Sequence, residues 1–189
     1  MRTVYLDYNA TTPLDTQVRE AMLPFLGDFF GNPSSIHHVG RKARAFLDDC
    51  RDRVSRVWKC KPSEVVFTSG GTESNNLAIC GSARLLKAKG RHLITSAVEH
   101  HAVLHTFEYL VNKEGFELTT LPVDADGLVD PQDLADAIRD DTILVSVMAA
   151  NNETGAIQPV AELGSICQEQ EVLFHTDACL LYTSPSPRD

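Results

Sequence analysis

The chain has 189 residues, of which 43% are hydrophobic, and a formal net charge of −9. This length and apolar content suffice for a domain with a buried core and exclude a chain that is disordered throughout. The negative charge argues against nucleic acid or an anionic membrane surface as the main partner. The apolar runs are too short to span a bilayer, and the amino terminus lacks an apolar core of signal-peptide length. Five cysteines without CxxC spacing fit a reducing cytoplasm better than a disulfide framework or a zinc site.

The amino-terminal third is predicted to hold an arm and one long helix. The first 35 residues are rich in Gly, Pro and Asn, which is typical of an arm or a lid. We assign residues 1–15 to the arm. Residues 41–58 are predicted to form an amphipathic helix, because apolar side chains recur at helical spacing. Its inward residues are expected to be Ala43, Phe46, Cys50, Val54 and Val57.

Beyond residue 64, short apolar runs alternate with helical patterns, which is the signature of an α/β fold. Strands are predicted at residues 64–69, 92–96, 116–123, 142–150 and 172–177, and helices from about residue 72, at 99–112, from residue 130 and from residue 159. Asp130 and Pro131 are suited to the N-cap and first position of a helix. We therefore expect a mostly parallel sheet with helices on both faces, with ligands bound at the carboxyl ends of its strands.

The segment TSGGTES (residues 68–74) follows a predicted strand and opens a predicted helix. Its two glycines allow close backbone approach, and the free N–H groups of a helix start favour an anion such as phosphate. A plain strand-to-helix turn is the alternative. A Walker loop is excluded, because no Gly-Lys-Ser/Thr sequence is present.

Polar clusters also follow the later strands. VEHHAVLH places His100 at a strand end, with His101 and His105 one helical turn apart. This pair could hold a metal, but no HExxH motif or neighbouring cysteine is present, so a solvated histidine face is the commoner outcome and no metal is expected. In AANNETG, Asn151 could bind a ligand or form a turn. In HTDA, Asp177 is either solvated or paired with a cation.

Taken in order, these clusters resemble those of the cysteine desulfurases, which are pyridoxal-phosphate enzymes of aminotransferase class V and fold type I. The similarity is carried by YLDYNATTP, GNPSSIHHVG, FTSGGTESNNLAI, SAVEHHAVL, DDTILVSVMAANNETGAIQP and FHTDA. It matches the branch that serves iron–sulfur cluster assembly and nitrogen fixation. It covers residues 3–178, corresponding to the amino-terminal half of the family's length.

The resemblance implies a role for each matching position. Gly71 and Thr72 would bind the phosphate of pyridoxal 5'-phosphate, and His100 would stack on its pyridine ring and carry protons. Asn151 would contact the phenolic oxygen of the ring. Asp177 would pair with the ring nitrogen, because a carboxylate keeps the pyridine protonated and able to accept electrons.

The implied reaction converts L-cysteine to L-alanine and leaves the sulfur on an enzyme cysteine as a persulfide. The sulfur would pass to an acceptor or iron–sulfur scaffold protein, and the family's full-length members are homodimers. The Schiff-base lysine and the nucleophilic cysteine belong to the missing half, so we expect the chain as given to be inactive. Alternatives are another class V enzyme, such as an aminotransferase or a selenocysteine lyase, or a non-catalytic fragment.

The resemblance stops at Ala178. Leu180 stands where the family has a glutamine that contacts the cofactor. Residues 179–189, CLLYTSPSPRD, can be encoded by a transposase-type sequencing adapter, so we interpret them as translated adapter DNA. A truncated gene with a Ser/Pro tail is the alternative. On this interpretation Cys179 is not a candidate nucleophile, and residues 16–178 are a partial large domain of fold type I.

Overall fold

A computed structural model describes residues 4–181. Most of the predicted adapter-encoded tail, residues 182–189, lies outside the described residues. The chain divides into two compact units, residues 11–67 and a second unit made of residues 1–10 and 68–189. In chain order, the elements are α1 (Thr16–Met22), a 3-10 turn (Leu23–Leu26), α2 (His38–Trp58), a 3-10 turn (Pro62–Glu64), α3 (Gly71–Leu86), β1 (His92–Ser96), α4 (His101–Glu114), β2 (Glu117–Leu121), α5 (Pro131–Ala137), β3 (Thr142–Ser146), α6 (Val160–Glu169) and β4 (Leu173–His175).

The four strands of the larger unit form one parallel sheet in the order β2-β1-β3-β4. The chain first moves from β1 to β2, and then returns past β1 to place β3 on its other side. The strand order therefore reverses between β1 and β3. In open α/β sheets, the crevice outside the carboxyl ends of the strands at such a reversal is where ligands bind.

Helices cover both faces of this sheet, as expected from the sequence. Alternate side chains of a strand point to opposite faces, so Leu93 and Leu144 belong to one core while Ile94 and Val145 belong to the other. The first core packs against α3 and α4, and the second packs against α5 and α6. The buried residues of the two helix pairs are Ile79, Ala83, Val103, Phe107 and Leu110 on one face and Leu134, Leu163 and Cys167 on the other.

The helix starts in this unit follow the capping signals of the sequence. The Asp130 side chain accepts from the N–H of Gln132 at the start of α5, and Pro131 takes the first helical position. The helix predicted to start at Pro159 begins at Val160, and Pro159 is the N-cap of α6. The strand predicted over residues 142–150 is shorter, and β3 ends at Ser146, after which Val147, Met148 and Ala149 remain buried.

The strand predicted at residues 64–69 is wrong. Residues 62–64 form a 3-10 turn, and residues 65–68 pair with no strand among the described residues. Val66 is 65% exposed. A β-branched and aromatic sequence favours a strand only where a neighbouring strand can complete its backbone hydrogen bonds.

The smaller unit, residues 11–67, contains the predicted amphipathic helix, and its predicted inward face is confirmed only in part. Ala43 and Val54 are half-buried, and Phe46 packs against Phe25 with their ring centroids 4.4 Å apart. Val57 is 76% exposed and Cys50 is exposed, so these two predictions are wrong. Helical periodicity identifies an apolar face, but it does not show what buries that face.

None of the helices in the described part of the chain is both long enough and apolar enough to cross a membrane.

The backbone of Gly90, just before β1, lies very close to the backbone of Asp141. A Cβ added at Gly90 would overlap the carbonyl oxygen of Asp141, just before β3. That same oxygen accepts from the N–H of His92, at 3.1 Å. Glycine is therefore required where the two central strands begin.

We expect Gly90→Ala to lower the free energy of unfolding by about 1–3 kcal/mol, because the backbone must move to admit the methyl group. Gly81→Ala is the matched control, since a Cβ there meets nothing within 4 Å and Gly81 lies inside α3. The control should stabilise the chain by roughly 0.5–1 kcal/mol. Urea denaturation measures both, and equal effects of the two changes would contradict this role of Gly90.

Candidate functional site

A cavity of about 340 Å³ lies at the carboxyl edge of the sheet, within the larger unit. Its walls come from the start of α3, the start of α4 and the segments that follow β3 and β4. The lining residues are Asn9, Ala10, Gly71, Thr72, Asn75, His100, Met148, Ala150, Asn152, Asp177, Cys179 and Leu180. Four of the five predicted site residues are among them, and Asn151 is not.

Asp177 is the buried carboxylate of this cavity. The ladder between β3 and β4 continues past the strands, because the N–H of Ala149 donates to the Asp177 carbonyl oxygen at 2.8 Å. This fixes the backbone of a residue that is only 8% exposed. The amide Nδ2 of Asn75 donates to Oδ2 at 2.7 Å, and the backbone N–H of Cys179 donates to Oδ1 at 3.0 Å.

These contacts decide the charge of Asp177. Burial by itself raises the pKa of the carboxyl, but hydrogen bonds from Cys179 and Asn75, together with nearby His175, outweigh it and lower the pKa below its usual value. Asp177 is therefore ionised at neutral pH. One of its donors is a backbone N–H at position 179, which any residue other than proline can supply.

The start of α3 supplies the opposite wall. Gly70 is the N-cap and has no side chain to satisfy the first N–H groups of the helix. Thr72 is exposed, and Sγ of Cys179 packs against Gly71, so that a Cβ added at Gly71 would lie 2.6 Å from this sulfur. Among the described residues no side chain caps this helix start, which therefore presents its first N–H groups and a partial positive charge to the cavity.

His100 is the N-cap of α4, and its side chain is exposed to the cavity. Its Nδ1 accepts from the N–H of Ala102 at 3.1 Å. This hydrogen bond assigns the proton of the neutral ring to Nε2, which remains available to a ligand. The ring is thus fixed at the strand end by the helix that follows it.

The other two histidines of this segment lie along α4. The rings of His101 and His105 stack with their centroids 5.3 Å apart, and both residues are exposed. Among the described residues, no group of three metal-binding side chains comes together.

Asn151 lies next to the cavity and is occupied with its own loop. Its Oδ1 accepts from the N–H groups of Glu153 and Thr154, and its Nδ2 donates to the Val98 carbonyl at 2.9 Å. The side chain therefore fastens the segment after β3 to the segment after β1. Its contact with a cofactor stays a prediction.

Two buried residues of the site were missed in the sequence. Asn75 lies four residues after Gly71, a helical spacing that places both on one face of α3. Glu99 directly precedes His100, and its Oε1 accepts from Ser96 and from the N–H of Met148. Helical spacing could have identified Asn75, whereas nothing in the sequence shows that Glu99 is buried.

Cys179 is a poor nucleophile in this environment. Burial raises the pKa of its thiol to about 11, and the neighbouring Asp177 carboxylate contributes in the same direction. The reactive form of a cysteine is the thiolate, which is scarce at neutral pH when the pKa is raised.

The fold is an α/β fold with a cavity at the carboxyl edge of its parallel sheet. The family model "Aminotransferase class-V" matches residues 4–184. The chain belongs to this family. The fold is that of the large domain of fold type I pyridoxal-phosphate enzymes, as the resemblance implied.

The individual proteins that the chain resembles are named as cysteine desulfurases. The chain is 57% identical over 177 residues to a cysteine desulfurase IscS of Dictyoglomus turgidum, covering 94% of this chain and 45% of that protein. It is 49% identical to a putative cysteine desulfurase IscS 1 of Bacillus subtilis, covering 94% and 47%. The chain thus spans about half the length of the curated relatives it matches. The expected resemblance to cysteine desulfurases is confirmed.

Solved structures agree. A NifS-like protein superposes with a TM-score of 0.88 at 42% identity, covering 93% of this chain and 48% of that one. A second structure, described as SspA in complex with cysteine, gives a TM-score of 0.87 at 41% identity, covering 93% and 50%.

We expect Asp177→Asn to lower the free energy of unfolding at pH 7 by about 1–3 kcal/mol, because an amide nitrogen would face one of two buried donors. Since the folded state lowers the Asp177 pKa, its contribution is present above the unfolded-state pKa and is lost as the pH falls through the folded-state value. Denaturant unfolding at several pH values measures this contribution.

Asp126→Asn serves as the control, because Asp126 is exposed in a loop, and it should change stability by less than about 0.5 kcal/mol. If the difference in the free energy of unfolding between wild type and Asp177→Asn stays constant down to pH 2, Asp177 is not ionised in the folded state.

Proposed function

We propose that this chain is part of a pyridoxal-phosphate-dependent cysteine desulfurase that converts L-cysteine to L-alanine and passes the sulfur on as an enzyme persulfide. The observation that carries this proposal is the cavity with two unlike ends. An ionised, buried Asp177 stands at one side, and the uncapped start of α3 stands at the other. A ligand that fills both must carry a protonated nitrogen and an anionic group.

Pyridoxal 5'-phosphate has this pair of groups, and the residues present fit it. Gly71 has no Cβ at the first turn of α3, and the space beside it, which Sγ of Cys179 enters here, is where a phosphate would meet backbone N–H groups. The Asp177 carboxylate is oriented by Asn75 and suits a protonated pyridine nitrogen. When bound, the cofactor supplies an electron sink for the substrate's α-carbon.

The chain's own side chains would then divide the work. Gly71 and Thr72 would hold the phosphate, and Asp177 would keep the ring nitrogen protonated. His100 would pack on the ring and hold a proton at Nε2, because its Nδ1 accepts from the N–H of Ala102. Asn151 would contact the phenolic oxygen.

The substrate and the partners are inferred from relatives. The matched relatives are named cysteine desulfurases, and one structural neighbour is described as a complex with cysteine. We therefore propose L-cysteine as substrate, a sulfur acceptor or iron–sulfur scaffold protein as recipient, and a homodimer as the assembled form. All five cysteines are free, which agrees with a cytoplasmic location.

The 189-residue polypeptide alone is proposed to be inactive. No lysine of the described residues lines the cavity, and the thiol nearest to it, on Cys179, is held protonated. Residues 16–178 would thus form a partial large domain that holds the cofactor's phosphate and ring, and residues 179–189 would contribute no catalytic group.

The function is tested by supplying L-cysteine with a thiol reductant and measuring the alanine and sulfide that form. Two proteins are compared, one extended to the length of its relatives and the 189-residue chain. We expect the longer protein to form both products in equal amounts and the chain to form neither. Amino transfer to a 2-oxo acid without sulfide release would replace the proposal with an aminotransferase.

Gly71→Ala tests the phosphate position in the longer protein. We expect it to weaken pyridoxal phosphate binding by at least roughly tenfold, because the methyl group fills the space at the helix start and leaves ligand polar groups unpaired. Fluorescence titration of the apoprotein gives the dissociation constants.

Gly70→Ala is the control, since a Cβ at Gly70 meets nothing within 4 Å and its backbone is extended. It should bind pyridoxal phosphate almost as wild type does. Equal losses in both variants would argue against a phosphate seated at Gly71.

A further inference from the structure

Glu99 is a buried carboxyl group to which the proposed reaction assigns no task. It follows β1, directly precedes His100 and is 6% exposed. Its Oε1 accepts from the hydroxyl of Ser96 at 2.6 Å and from the N–H of Met148 at 2.7 Å. One carboxyl oxygen therefore joins the end of β1 to the segment after β3.

The second oxygen of Glu99 is in a different position. Oε2 is buried and has no hydrogen-bond partner among the described residues. An ionised carboxylate oxygen without a donor is costly in such a place, whereas a protonated acid carries no charge to be compensated.

The groups around Glu99 oppose its ionisation. Ser96, at the end of β1, donates its hydroxyl to Glu99, and Met148, after β3, donates its backbone N–H. The charged group that acts on Glu99 from the segment after β4 is another carboxylate, Asp177. Burial, above all, raises the pKa of Glu99 to about 7, against partial compensation by its two hydrogen bonds.

We propose that Glu99 is a positioning residue, which in its protonated form joins the β1 and β3 ends and so holds His100 and Met148 in place at the cavity. His100 and Met148 both line the cavity. His100 follows Glu99 directly in the sequence, and the backbone N–H of Met148 donates to the Glu99 carboxyl. The choice of pyridoxal phosphate as the ligand rests on the proposed function, but the bridge itself does not.

Loss of the proton would make Oε1 a stronger acceptor, but it would leave a negative charge on a buried carboxyl whose Oε2 has no donor among the described residues, and this destabilises the folded site. Ionised Glu99 would place a second buried negative charge near Asp177, with no cation to balance it among the groups that face it. Because its folded-state pKa lies above the ordinary 4.5, its contribution to stability is complete below pH 4.5 and is lost as the pH rises through about 7. The cavity is therefore best formed on the acidic side of neutrality.

Infrared difference spectroscopy tests the protonation without any cofactor. In the full-length protein that carries this chain, we expect a protonated-carboxyl band that titrates near pH 7, persists in Glu108→Gln and is missing in Glu99→Gln. Glu108 is an exposed glutamate on α4 and serves as the matched control. If wild type at pH 6 shows no protonated-carboxyl band that is missing from Glu99→Gln, the proposal is overturned.

Binding of pyridoxal phosphate to the apoprotein tests the positioning. Glu99→Gln keeps an oxygen that accepts both hydrogen bonds, so it should bind as wild type does at pH 6 and lose less affinity at pH 8. Glu99→Ala removes the bridge and should bind about tenfold more weakly at both pH values. Equal weakening in the two variants, with native circular dichroism in both, would overturn the proposal. Failure of wild type to bind would refute the proposed function instead, and the infrared titration would still decide the state of Glu99.

Discussion

Parallel pairing of β3 with its two neighbours, β1 and β4, is the interaction on which the whole site depends. It brings the carboxyl ends of three strands to one edge, and residues from three distant parts of the chain follow those ends. The pairing continues past the strands through the hydrogen bond between Ala149 and Asp177. The reversal of strand order between β1 and β3 then opens the crevice in which these residues meet.

In and beside this crevice, the surroundings shift the pKa values of two carboxyl groups in opposite directions. Asp177 has donors on both of its oxygens and is ionised, whereas Glu99 has donors on one oxygen and a carboxylate as its charged neighbour. Pairs of titratable groups whose pKa values are pushed apart are typical of sites that hold charge and protons in fixed places. In the proposed function, the charge of Asp177 pairs with a cationic group of the ligand, and the start of α3 binds an anionic one.

Much of this arrangement was predictable from the sequence, because it depends on local patterns. Strand and helix positions after residue 90, the capping of α5 by Asp130 and the placement of His100 and Asp177 after strands follow from periodicity and parallel topology. Gly71 and Thr72 were correctly predicted at a helix start, but no strand of the described residues precedes them. The failures concern long-range partners. The strand predicted at residues 64–69 needs a neighbouring strand that the described residues do not provide, and Val57, on the predicted inward face of α2, is exposed. Burial of Glu99 arises only when β1 and β3 are side by side.

The central claim, that this cavity is a pyridoxal-phosphate site, is tested most directly by a crystal structure of the full-length protein with the cofactor bound. We expect the phosphate at the start of α3 beside Gly71, and the ring nitrogen within hydrogen-bond distance of the Asp177 carboxylate. His100 should lie against the face of the ring. A cofactor bound elsewhere, or one whose ring nitrogen points away from Asp177, would contradict the assignment.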